Sequence, residues 1–174
     1  LSVPVVYNTS GFESQDTLRK LNDKVQIYLP DLKYSDDKLA IKYSNAPYYF
    51  RIATDAIKEM YRQVGDYKIN DDGIMESGVI IRHLIMPGYL ENSKKVIDWV
   101  AQNFKPGQVM FSLMHQYVPC GRAAEFPEIN RKVTAEEYAE IEQYLMDSGI
   151  EDGFVQEEEA ACTEFIPCFD GTGV

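Results

Sequence analysis

Short apolar runs alternate with amphipathic stretches about four times along this chain, and that alternation constrains the fold more than any other feature. Residues 3–7 (VPVVY), 25–33 (VQIYLPDLK), 79–88 (VIIRHLIMPG) and 109–117 (VMFSLMHQY) carry the β-branched and aromatic residues of strands. Residues 79–88 are so continuously apolar that they predict a strand covered on both sides. Between these runs lie helical patterns. Residues 14–22 turn Leu18 and Leu21 inward, and Ser35 is placed to cap a short helix through Ala40. Residues 47–64 put Tyr49, Ile52, Ala53, Ala56, Ile57, Met60 and Val64 on one face before Gly65. Residues 92–104 present Val96, Ile97, Val100, Ala101 and Phe104, and Thr134 with Glu137 forms a capping box for a helix through Asp147. Asp72-Gly73 marks a hairpin, and residues 153–157 read as a last short strand. Apolar strands alternating with amphipathic helices predict parallel βα units, hence an α/β fold in a single domain.

Parallel α/β proteins carry their working groups at the C-terminal ends of the strands. Polar residues gather there: Asn8 and Thr9, Asp31 and Lys33, Arg82 and His83, then His115, Gln116 and Tyr117. In the second run Val25, Ile27, Leu29, Asp31 and Lys33 share one face, apolar for three positions and then ionic. A charge against an apolar interior must meet an opposite charge, water or a ligand. The plainer reading is a rim ion pair, with Arg82 pairing Asp31 and with Asn8 and Thr9 capping the next helix. His83 faces away from Arg82 and reads as a packing histidine, as does His115. Pro30 cannot donate to a ladder and is expected to mark a bulge.

With 174 residues, 45% hydrophobic and 26% charged, the chain has an ordinary globular composition. Its net charge of −11 disfavours nucleic acid and anionic membrane surfaces as partners. Cys120, Cys162 and Cys168 match no zinc or cluster spacing, and an odd count without a signal peptide predicts a cytoplasmic protein with free thiols. No apolar run is long enough for a membrane span. Glu157 to Glu159 read as a solvated run, and Phe165, Ile166 and Phe169 as packing for the tail. The chain opens on "LSVPVV", already a strand, which predicts a piece of something larger with an open strand edge that pairs with another chain or is covered.

Four motifs, "YNTSGF", "LPDLKY", "IIRHLIMPG" and "SLMHQYVP", in this order and spacing, resemble the later strands of radical S-adenosylmethionine enzymes, closest to relatives of the pyruvate formate-lyase activating enzyme. The resemblance covers essentially the whole chain. It implies a partial (β/α)6 barrel of TIM type, with residues 1–174 forming the C-terminal portion of the domain and supplying about strands three to six. The D-x-K motif falls on Asp31 and Lys33, implying contacts to the ribose and amino-acid end of S-adenosylmethionine. Arg82 is then a partner for the methionine carboxylate, with Asn8, Thr9 and Gln116 (or Tyr117) as further cofactor contacts. The family's D-T-N-G appears as Asn8-Thr9-Ser10-Gly11, and without that Asp no monovalent cation site is implied. The CxxxCxxC segment that binds a 4Fe-4S cluster is absent from these residues, so the resemblance implies a chain inactive alone whose parent holds the cluster. It also implies a protein substrate, such as a glycyl-radical enzyme. No residue is assigned to hydrogen abstraction. Two other readings stand beside it: a non-catalytic α/β module for a small ligand or peptide, and an aldolase-like barrel with Lys33 as Schiff base.

Overall fold

The computed structural model describes residues 3–155. The elements run β1 (Val6–Thr9), α1 (Gln15–Leu21), β2 (Ile27–Pro30), α2 (Asp37–Ser44), α3 (Tyr49–Val64), β3 (Lys68–Ile69), β4 (Met75–Leu84), α4 (Leu90–Asn103), β5 (Met110–Met114), a 3-10 turn (Gly121–Glu125), α5 (Ala135–Asp147) and β6 (Gly153–Val155). The strands form one six-stranded sheet in the order β1-β2-β4-β5-β6, parallel throughout, with β3 added antiparallel to β4. This is a mixed α/β fold consistent with a partial TIM-type barrel. Among the described residues no helix is long and apolar enough to cross a membrane.

Helices cover one face of the sheet and the opposite face is only partly covered, which corrects the expectation of full two-sided burial for residues 79–88. Val79, Ile81 and His83 of β4 are buried, whereas Ile80, Arg82 and Leu84 between them are half-exposed. Tyr28 of β2 points to the covered side, where its hydroxyl donates to Gln63 of α3, and His83 meets Ser93 of α4 there. Phe111 and Leu113 are in register with Ile81 and His83 and share that side. The long apolar run therefore has two purposes: alternate residues bury under the helices, and the others line the partly covered face. The helical layer is closed laterally by Trp99, set edge-on against Phe50 and Phe104.

Several local signals act as read. The helix of residues 14–22 forms as α1, with Ser14 as its cap, a role the sequence did not announce; the Thr134–Glu137 capping box is formed, and the hairpin turn spans Asn70 to Gly73, with Asn70 Oδ1 accepting from Asp72 and Ile74. Others differ. The first strand is Val6–Thr9 rather than residues 3–7, because Asn8 and Thr9 pair in register with Leu29 and Pro30. Asp36, not Ser35, caps α2; the Ser35 amide donates instead to Asn92. Pro30 makes no bulge. Ile27 pairs with Gly78, Tyr28 with Val79 and Asp31 with Arg82, a constant offset across the proline. Asp31 donates to Thr9 of β1 while Leu32 donates to Arg82 of β4, so the N–H that Pro30 lacks is one that would face β4. The result is a gap in the ladder, not a shift.

The N-terminal end of the partly covered face is closed by Tyr67, which lies over Gly78 and donates from its hydroxyl to Asp152. Gly78 has φ of +133°, and a Cβ there would stand 2.5 Å from Tyr67 Cβ and 2.7 Å from Tyr67 Cα. Gly78→Ala should therefore cost at least about 2 kcal/mol by urea denaturation, combining backbone strain and overlap. Gly73→Ala, with φ of +77° but open space around it, should cost only about 1 kcal/mol. Equal losses in the two variants would mean that Tyr67 does not rest on Gly78.

Candidate functional site

Beyond Pro30 the chain leaves the sheet, and residues 31–35 cross the C-terminal rim. Their backbone groups are satisfied one by one. Asp31 N–H donates to the Thr9 carbonyl and Leu32 N–H to the Arg82 carbonyl. Lys33 N–H donates to Tyr49 Oη at 3.0 Å, and the single proton of that hydroxyl is shared between the carbonyls of Ser10 and Asp31, both at 2.9 Å. The Leu32 carbonyl accepts from His83 Nδ1 at 2.7 Å, and the Lys33 carbonyl accepts from Asn92 Nδ2 at 2.9 Å. Gly11 packs beneath this segment, where a Cβ would overlap the Asp31 carbonyl oxygen. The rim charges thus stand on a backbone fixed from α3, α4 and β4.

On this platform Asp31 is shared by two cations. Its carboxylate lies 2.6 Å from Arg82 Nη2 and 3.4 Å from Lys33 Nζ, and Arg82 Nη2 also donates to Asn8 Oδ1 at 2.6 Å. Asn8, Asp31, Lys33 and Arg82 are therefore one group on the partly covered face, carrying one net positive charge. The pairing is incomplete in its hydrogen bonds. Asp31 Oδ1 is close to the guanidinium without a directed hydrogen bond, and the buried Arg82 Nε has no acceptor among the described residues. A buried donor left in this state costs about 1–3 kcal/mol. Both atoms are sealed from the surface, so a ligand that drew the Arg82 and Asp31 side chains outward could supply the missing partners.

The remaining predicted residues sit elsewhere. Thr9 is buried and turned away from Asn8; its hydroxyl donates to Glu13 at 2.6 Å and accepts from the Gly11 amide. Gln116 lies just past the end of β5 and makes no hydrogen bond among the described residues. The Tyr117 hydroxyl donates to the Ile129 carbonyl. His115 is buried with its ring 4.5 Å from that of Tyr138. Glu157 to Glu159, Cys162, Cys168 and the tail aromatics lie outside the described residues.

His83 is the packing histidine its position suggested. Its Nδ1–H donates to the Leu32 carbonyl, so Nε2 is the acceptor for the Ser93 hydroxyl at 2.8 Å. Burial lowers its pKa from the usual 6.5 to about 4, against smaller opposing effects of the Leu32 hydrogen bond and the Asp31 charge. Two supporting residues escaped the sequence reading: Tyr49, read as helix packing, and Asn92, on the helix that follows β4. Burial pushes the Tyr49 phenol well above its ordinary pKa, so it stays a neutral donor. Its signal in the sequence is weak, since an apolar helix position filled by Tyr differs from Phe only in a polar tip that must find a partner.

No protein-family model matches the chain. Over 145 residues it is 32% identical to an uncharacterized protein of Methanocaldococcus jannaschii, covering 83% of this chain and 37% of that protein. The chain thus spans little more than a third of the curated relative it matches. Among solved structures, a domain of the pyruvate-formate lyase-activating enzyme from Bacteroides vulgatus superimposes with a TM-score of 0.59, over 86% of this chain and 79% of that one, at 14% identity. At that identity the likeness is one of fold.

Two measurements test the platform. Tyr49→Phe strands the Lys33 amide and two carbonyls and should cost about 1–3 kcal/mol in urea unfolding. His83 binds its proton more readily in the unfolded chain, so its contribution is complete above about pH 6.5 and is lost as the pH falls toward 4. Stability should drop by about 2 kcal/mol between pH 7 and pH 5, and His83→Asn should flatten that slope. An unchanged slope in the variant would remove His83 from the account.

Proposed function

We propose that this chain is the C-terminal portion of a single radical S-adenosylmethionine barrel domain, in a cytoplasmic protein of the pyruvate formate-lyase activating type, and that its rim grips part of the cofactor. The observation that carries this reading is the incomplete pairing of Asp31 and Arg82 on an otherwise rigid platform. The fold likeness and the motif resemblance point the same way. S-adenosylmethionine, when bound, supplies the sulfonium that this family cleaves reductively. The chain's own residues bind and orient it. The partly exposed guanidinium of Arg82 and the Lys33 ammonium receive the methionine carboxylate; Asp31 accepts from the ribose hydroxyls or the ammonium; Asn8 accepts from Arg82 Nη2 and steadies the guanidinium. Thr9 supports this arrangement through the turn at Gly11, and Gln116 closes the rim from β5.

The 4Fe-4S cluster does not fit these residues. Among the described residues no group of three His, Cys, Asp or Glu could hold a metal ion, and the sequence carries no CxxxCxxC. Cluster and redox chemistry belong in this reading to the remainder of the longer protein, as does the choice of a glycyl-radical or other protein substrate. The outer edge of β1, where Val6 is 52% exposed, receives the preceding strand of the same barrel or a second chain.

Titration calorimetry with S-adenosylhomocysteine tests the rim. Arg82→Ala should weaken binding at least about tenfold, the worth of a charge-assisted hydrogen bond. Arg82→Lys keeps the charge without the planar fork of donors and should fall between. Unchanged affinity in Arg82→Ala, Asp31→Ala and Lys33→Ala would overturn the reading.

A further inference from the structure

Beside the charged rim lies a cavity of about 230 Å3, lined in part by Tyr34, Leu84, Met86, Tyr117, Cys120 and Phe126. It adjoins the rim through the chain itself. Tyr34 follows Lys33, and Leu84 is on the same face of β4 as Arg82. The lining is mostly apolar, and its polar side chains already have partners within the protein. The Tyr34 hydroxyl is hydrogen-bonded to Ser44 at 2.8 Å, and that of Tyr117 donates to the Ile129 carbonyl at 2.9 Å. Tyr43, at the far wall, is held by Tyr89 and Glu128. Arg122, also in the lining, is forked onto Glu125 in an exposed ion pair. What remains facing the cavity is chiefly ring surface and aliphatic carbon, with one thiol.

We propose that this cavity binds a compact neutral aromatic group, of benzene to indole size, belonging to a substrate rather than to the nucleotide cofactor. An apolar cavity of about 150 Å3 is enough for a benzene ring, and aromatic walls add edge-on contacts to simple burial. The assignment of the guest as substrate rests on the rim reading above; the binding of the guest does not.

Methyl NMR of the chain labelled at methionine tests this with indole as the probe. Met86 forms part of the lining, and Met60, buried in the helical core, is the internal control. Indole should shift the Met86 methyl saturably and leave Met60 in place. Ala123→Trp fills the cavity and should abolish the Met86 shift, with an unmoved Met60 signal showing that the variant is folded. The tripeptide Gly-Trp-Gly separates two sources of the same group: displacement of indole supports a peptide side chain, and retention supports a free small molecule. S-adenosylhomocysteine should not displace indole. If it does, the cavity holds the cofactor's adenine and the proposal falls, as it does if Met86 shows no saturable shift. If indole binds while S-adenosylhomocysteine does not bind at all, the cavity stands and the rim reading fails.

Discussion

A single phenol, that of Tyr49, ties together the two loops on which the rim is built. Its hydroxyl stands between the carbonyls of Ser10 and Asp31 and the amide of Lys33, joining the turn after β1 to the segment after β2. A backbone that leaves a sheet exposes polar groups that nothing in the ladder can satisfy, and buried ones must find partners. Here side chains take the place of the missing strand: Tyr49 from α3, His83 from β4 and Asn92 from α4. Because each reaches the same short segment from a different element, the positions of Asp31 and Lys33 are set by the packing of the whole helical layer.

The partly covered face follows from the same arrangement. With the helices packed on one side, the residues between the buried ones of β4 face the other way, and there the strand presents apolar carbon below and charge at the lip. In a chain of net charge −11, a local group with a surplus of one positive charge attracts what the rest of the surface repels. An anionic or zwitterionic ligand is drawn to this rim, while the body of the protein stays averse to polyanions.

Much of this was legible in the sequence. The order of strands and helices followed from periodicity, the capping box from Thr134 and Glu137, and the meeting of Asp31, Lys33, Arg82 and Asn8 from the rule that parallel strands end together. What escaped has a common cause. Periodicity in the run from Val79 to Gly88 is hidden because Ile80 and Leu84 are as apolar as Val79 and Ile81, so one-sided and two-sided burial look alike. Pro30 suggested a bulge because a sequence does not reveal which neighbour its absent N–H would have faced. Thr9 and Asn8 are adjacent and polar, yet one lies buried beneath Glu13 and the other lies at the lip. Tyr49 and Asn92 act on backbone atoms distant in the chain, and no local pattern announces such partners.

Trp99 is the chain's one tryptophan, and it sits among Phe50, Phe104 and Lys58 on the helical side of the sheet. Emission excited selectively from tryptophan therefore reports the seating of α4 against α3, whereas the rim and the neighbouring cavity are bordered by tyrosines. Unfolding and occupancy are in this way optically separable, since the indole is not among the residues that line the cavity. The protein carries a built-in gauge of its own integrity.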